Sequence, residues 1–249
     1  MRRLAALASA ALVVALAGCI AVPPAPAPDS TVGGASTSGF PANMASHGVV
    51  ETDAGVVTTP EATAVPVPTV DVGDRVHVIV YVDLMCPFCG EFEAANGEFL
   101  GEAVATGDVA LETHPIAFLD RLSLGSEYST RAANLVAAVA SLHPEATADV
   151  IRGLFAEQPA EQTEGLDDAA LLSIAAAAGA QSDALDAAVA GIAFRPFVEA
   201  ATEAATTQPL PGQTASLAGT PTIIVDGSLF QGDPTDAEAF EAAVAAARG

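Results

Sequence analysis

Residues Val76-His77-Val78-Ile79-Val80-Tyr81-Val82-Asp83-Leu84-Met85-Cys86-Pro87-Phe88-Cys89 decide how the rest of the chain is read. The first seven are short, apolar and rich in β-branched side chains, the signature of a buried strand. From Pro87 to about Ala105 the pattern turns helical, with Phe88, Phe92, Phe99 and Leu100 expected on the buried face. Pro87 suits the first helical position, where its missing N–H would have no partner in any case. A Cys-x-x-Cys pair therefore follows a strand and opens a helix. Cys86 then faces unpaired backbone N–H groups and the positive end of the helix dipole, both of which favour a thiolate. The spacing places both sulfurs on one side of the first turn, close enough to bond. On this reading Cys86 is the nucleophile and Cys89 resolves the mixed disulfide.

Outward from that segment, Val109–His114 reads as a second strand closed by Pro115. Val49-Val50 and Val56-Val57 suggest a preceding hairpin. From about Gly125 to Thr207 apolar residues recur at helical spacing, as in Leu135, Val136, Val139 and Leu142. Pro196 predicts a kink or break near Arg195. Thr222–Val225 returns to strand character, Asp226-Gly227 signals a turn, and Ser228–Phe230 is its second arm. Asp233 and Pro234 predict the N-cap and first residue of a last helix. The order is strand, helix, strand, helical block, hairpin, helix.

The N-terminus reads as an address. Arg2 and Arg3 precede an apolar run, Leu4 to Leu16, too short to span a bilayer comfortably. Leu16-Ala17-Gly18-Cys19 resembles the bacterial lipobox, which implies a signal peptide over 1–18 and acylation of Cys19. An ordinary signal peptide and an uncleaved anchor are the alternatives. Buried acyl carbons contribute about 0.8 kcal/mol per CH₂ to membrane attachment. The Pro-, Gly- and Ser-rich stretch 19–39 reads as a flexible tether, leaving 40–249 as the folded domain.

Composition narrows the partners. The 249 residues carry 31 acids and eight basic residues, all Arg, for a net charge of −23. Such a chain lacks the basic stripe that neutralises phosphates, so no nucleic acid is expected. Its body should be repelled by anionic lipid, leaving attachment to Cys19. Three Cys exclude a multi-disulfide scaffold. A structural zinc site needs four ligands, and neither further Cys nor nearby His supplies them, so no metal or cofactor is expected. The Cys86–Cys89 pair could still be an inert structural disulfide, or two buried thiols.

Several separated segments resemble the DsbA-like, thioredoxin-fold thiol–disulfide oxidoreductases of bacteria, over about Phe40 to the C-terminus. Asp83–Cys89 is similar to the family's active-site segment, including an acid three residues before the first Cys. Pro115–Asp120 with Tyr128–Ala133 resembles the passage from the second strand into a helical insertion. Gly219-Thr220-Pro221-Thr222 resembles the family's cis-proline loop. Phe40–Met44 resembles a segment preceding the domain in actinobacterial members. The resemblance implies an α/β, thioredoxin-like fold with an all-helical insertion at about 122–210, between the second strand and the cis-proline strand.

It also implies a site built from Cys86, Cys89 and Pro221, with Pro87 and Phe88 in the active loop and Thr220 against substrate. A cis Thr220–Pro221 bond would leave the Thr220 backbone free to pair with an extended peptide beside Cys86; an ordinary trans proline at a strand start is the alternative. Asp83 either relays a proton or caps the loop. Arg131 is expected to pair with Asp120 or Glu127, and His114 to be structural. The implied activity is extracytoplasmic disulfide exchange with exported protein thiols, as an oxidase reset by a membrane redox partner. A lipid-anchored binding module with a structural disulfide, or a dedicated thiol reductase, are the competing readings.

Overall fold

A computed structural model describes residues 39–68 and 70–249. The expected signal peptide, Cys19 and residues 19–38 of the expected tether lie outside the described residues. Six strands form one mixed sheet: β1 (Val49–Thr52), β2 (Gly55–Val56), β3 (Val76–Val82), β4 (Val109–Pro115), β5 (Thr222–Val225) and β6 (Ser228–Leu229). Their order is β2-β1-β4-β3-β5-β6, with β3 and β4 parallel and every other pair antiparallel. A parallel pair needs a crossover, and helix α1 (Pro87–Ala105) supplies it.

Strand β3 is central and covered on both faces, which explains its nearly continuous apolar run. Val76, Val78, Val80 and Val82 point into the large core with Phe92, Leu100 and Ala103 of α1. Ile79 and Tyr81 point the other way, against Ile224, Ala205, Leu210 and Leu217. The register repeats this alternation across the sheet, Val80 opposite Ile223 and Ile79 opposite Ile224.

Five helices lie between β4 and β5: α2 (Tyr128–Leu142), α3 (Thr147–Ala156), α4 (Asp168–Ala177), α5 (Asp183–Ala190) and α6 (Arg195–Thr207). This is the thioredoxin-like fold with a helical insertion. Helix α2 is buried along most of its length, so Ala there serves close packing on every side. The expected break near Arg195 is a loop between α5 and α6, with Pro196 in the first turn of α6. Buried Asn134 holds that loop: its side chain accepts from the Phe194 N–H at 2.8 Å and donates to the Ala188 carbonyl at 3.2 Å. Residues 40–45 lie against the insertion, with Asn43 Nδ2 donating to the Ala140 carbonyl at 2.8 Å.

Three local expectations need correction. Helix α7 (Ala237–Ala247) starts later than its Asp-Pro signal suggested, because Asp236 rather than Asp233 caps it, accepting from the Ala239 N–H. Asp233 instead closes a turn onto Thr235. Arg131 pairs with Asp168 at 2.7 Å. Neither expected acid is available to it: Asp120 binds the backbone and hydroxyl of Thr130, and Glu127 pairs with Arg195. Phe88 is 60% exposed rather than buried, and the aromatic packing on α1 comes from Phe92 and Phe99, both edge-on to Phe240 of α7. No helix among the described residues is long and apolar enough to cross a membrane.

Candidate active site

Cys86 is the N-cap of α1 and Pro87 its first helical residue. Capping normally falls to Ser, Thr, Asp or Asn, but here the Cys86 side chain makes no capping bond. Its carbonyl accepts from the Cys89 and Gly90 N–H groups at 3.0 and 3.2 Å, which starts the helix. Cys86 and Cys89 are both free thiols and both buried.

The two sulfurs have opposite electrostatics. A hydrogen bond from the Cys89 thiol is the largest influence on Cys86. Together with the Thr220 hydroxyl and the backbone N–H groups of Cys89 and Phe88, it outweighs burial and brings Cys86 down to about 6. Burial, and then the adjacent Cys86, push Cys89 far above the ordinary thiol range. Near neutral pH the outer sulfur is largely thiolate and the inner one is thiol.

The Thr220–Pro221 bond is cis. It carries the Thr220 carbonyl to 3.2 Å from Cys86 Sγ, where it accepts a hydrogen bond from the protonated thiol. The structure thus brings together Cys86, Cys89, Thr220 and Pro221, with Phe88 projecting into solvent beside them.

Asp83 is fully buried beneath the loop. Its carboxyl accepts from the Met85 N–H, the Leu119 N–H and the Ser129 hydroxyl, each at 2.8 Å. Burial raises it to about 6, against the pull of those three hydrogen bonds. One side chain therefore ties the active loop to the segment after β4 and to α2.

Gln158, just after α3, also reaches the loop: its Nε2 donates to the carbonyls of Leu84 and Cys86 at 3.2 and 2.9 Å. A Cβ at Gly90 would meet the end of the Gln158 carboxamide, so a larger residue there must push that side chain off the loop. Gln158, Ser129 and Leu119 were not identified in the sequence. They lie 36 to 74 residues from their partners, and no local spacing announces such contacts.

His114 lies away from this site, on the far face of the sheet. Buried Glu112 accepts from Ser46 at 2.6 Å, from His77 at 2.8 Å and from His114 at 2.9 Å. Burial pushes that carboxyl up, but His114, His77 and Ser46 together hold it well below the usual range. No group of three side chains able to hold a metal occurs among the described residues.

A family model described as thioredoxin matches residues 73–246. Reduced DsbA from Mycobacterium tuberculosis is 26% identical, with a TM-score of 0.57 over 81% of this chain and 99% of that one. The disulfide bond oxidoreductase DsbG of the same organism is 27% identical, with a TM-score of 0.57 over 81% and 94%. BdbD from Bacillus subtilis shares the fold at 18% identity, with a TM-score of 0.60 over 87% and 97%. No curated protein matches the sequence.

Proposed function

Because the chain belongs to the thioredoxin family, we propose that it is a DsbA-like thiol–disulfide oxidoreductase, working as an oxidase of exported proteins through Cys86 and Cys89. The observation that carries this reading is the Cys86 sulfur, drawn down to about 6 and set against the cis Thr220–Pro221 loop.

The reaction starts from the Cys86–Cys89 disulfide. A substrate thiolate attacks Cys86 Sγ, the S–S bond breaks, and Cys89 leaves and takes up a proton, as its raised pKa favours. The substrate's second thiolate then attacks its own sulfur in the mixed disulfide and expels Cys86 as thiolate. The substrate loses two electrons and the enzyme gains two. A thiol of low pKa is the better leaving group and stabilises the reduced enzyme, and both effects favour oxidation of the substrate. Thr220 would hold an extended substrate beside Cys86, and Phe88 would meet it from the exposed side. Asp83 serves to hold the loop, with three donors converging on its carboxyl.

A membrane redox partner would reset the dithiol. In this reading the Cys19 acyl chains hold the protein at the extracytoplasmic face of the membrane, an assignment supported by Leu16-Ala17-Gly18-Cys19. The reduction potential tests the direction: an oxidant of this type lies near about −120 mV, whereas a structural bridge lies below about −300 mV. A structural-range value without exchange toward a dithiol peptide overturns the proposal, as does full exchange by Cys86→Ser. Cys89→Ala should trap mixed disulfides at Cys86 and so identify the substrates.

A further inference from the structure

A cavity of about 340 Å³ lies between α1, the adjoining face of β1, β3 and β4, and helix α3. None of Cys86, Cys89, Thr220 or Pro221 lines it. Its inner walls are apolar, with Val80 from the sheet, Phe92 and Leu100 from α1, and Ile151 from α3, while Glu51, Glu93, Asp53 and Arg152 bring charge to the lining. A dry cavity of about 150 Å³ can hold benzene, so this space is ample for a small organic molecule.

The sequence keeps the cavity open at some expense to the helix. Gly97 and Gly101 of α1 lie one turn apart on the lining, although Gly is the poorest helix former after Pro. A Cβ at Gly101 would touch nothing within 4 Å, so it would project into empty space.

Of the three acids on the lining, Asp53 is paired with Arg75, and Glu51 and Glu93 are not. Glu51 on β1 follows buried Val49 by two residues and so points to the same, inner face of the sheet. Its Oε1 is buried without a hydrogen-bond partner. Glu93 folds over Gly97 at the lining. Burial raises both carboxyls, Glu51 to about 7, with Glu93 adding to the effect on Glu51. Arg152, also on the lining, draws both carboxyls down while it pairs with Asp149 at the surface, and Arg75 pairs with Asp53. Neither Glu51 nor Glu93 takes part in an ion pair among the described residues, whereas buried polar atoms ordinarily find partners.

We propose that this cavity is a binding site for a small organic cation, a primary ammonium carried on an apolar body. The ammonium would donate to Glu51 Oε1 and lie beside Glu93, and the body would pack among Val80, Phe92, Leu100 and Ile151. A neutral hydroxyl could satisfy Oε1 but would add no positive charge beside two acids that share one arginine, and an anion would be repelled. Three N–H donors and one positive charge on a compact head match the two acids.

The test uses the folded chain at pH 8 and two isosteric probes, 4-phenylbutylamine and 4-phenylbutan-1-ol, titrated by calorimetry and by backbone NMR. The amine should bind at least about tenfold tighter than the alcohol, in line with a buried, charge-assisted hydrogen bond. Shift changes should centre on Glu51, Gly97, Gly101 and Ile151. Glu51→Gln should remove the preference and leave the two probes equal. Gly101→Leu, which fills the cavity from a position with room for a side chain, should abolish binding of both. Equal affinities in the unmodified chain, no saturable binding, a preference that survives Glu51→Gln, or binding that survives Gly101→Leu would each overturn the proposal. If Glu51→Gln does not fold, the affinity ratio together with Gly101→Leu decides it.

Discussion

The Cys86 sulfur stands 3.2 Å from the backbone carbonyl oxygen of Thr220, a residue 134 positions further along the chain. A carbonyl can only accept, so this contact favours the thiol, while the Cys89 thiol, the Thr220 hydroxyl and the helix N–H groups favour the thiolate. The balance goes to the thiolate, and the Cys89 thiol is its largest support.

Alkylation of Cys86 by iodoacetamide should follow a titration with its midpoint near pH 6. In Cys89→Ala the midpoint should rise, because the strongest donor to the thiolate is gone. An unchanged midpoint in that variant would remove Cys89 as the cause.

The stability of the reduced chain relative to the oxidised one should rise with pH between about 6 and 9. In that window folded Cys86 has lost its proton while the unfolded thiol retains it, and stability increases wherever the unfolded state binds more protons. The gain disappears as the pH falls through 6. Above 9 the trend reverses, because folded Cys89 holds its proton after the unfolded thiol has lost it. Urea denaturation of both forms at pH 5, 7 and 9 measures this difference; a flat difference contradicts the assignment.

Gln158→Ala should cost the reduced protein about 1–2 kcal/mol, the worth of its hydrogen bonds to the active-loop carbonyls. Gly90→Ala alone should change little, since displacing the Gln158 amide offsets the better helix propensity. In the Gln158→Ala background the same change should stabilise by about 1 kcal/mol. Additive effects would show that the two positions do not meet.

Asp83→Asn turns one acceptor into a donor facing the Leu119 N–H, the Met85 N–H or the Ser129 hydroxyl. A stability loss of about 1–3 kcal/mol should follow, with the rate of thiol exchange per folded molecule nearly unchanged. A large fall in exchange rate without loss of stability would instead make Asp83 a proton carrier.

Glu112→Gln should destabilise the protein by about 1–3 kcal/mol, since it replaces a buried carboxylate that accepts from His77, His114 and Ser46 with an amide that has one acceptor oxygen. Glu112 is held below its ordinary value, so its contribution is present above about pH 4.5 and is lost as the pH falls below it. The variant should therefore show a shallower acid transition in thermal melts at pH 3 to 5.

The placement of Cys86 and Cys89 between a strand and a helix was legible because its signal is local: a β-branched run, a Cys at a helix start and a Pro at the first helical position all lie within 14 residues. The cis-proline loop was legible through its own tetrapeptide. The partner of Arg131, the exposure of Phe88 and the contacts of Gln158 depend on which helix packs against which, and periodicity does not encode that. Phe88 has the spacing of a core residue yet projects into solvent, because the first turn of α1 ends at the site instead of lying against the sheet. The cluster at Glu112 escaped for the same reason: Ser46, His77 and His114 come from three separate segments brought together by the β1–β4–β3 register.

Both margins of the sheet are only two residues long, Gly55–Val56 on one side and Ser228–Leu229 on the other. A short edge offers few unpaired N–H and C=O groups, so an incoming strand gains little by annealing to it. That matters for a protein whose proposed clients arrive unfolded and hungry for a ladder. The Thr220 loop, beside the Cys86 sulfur, would then be the place where an extended client engages the backbone. On the proposed function, clients would be captured where they can be processed and released, and the molecule would avoid becoming a seed for their aggregation.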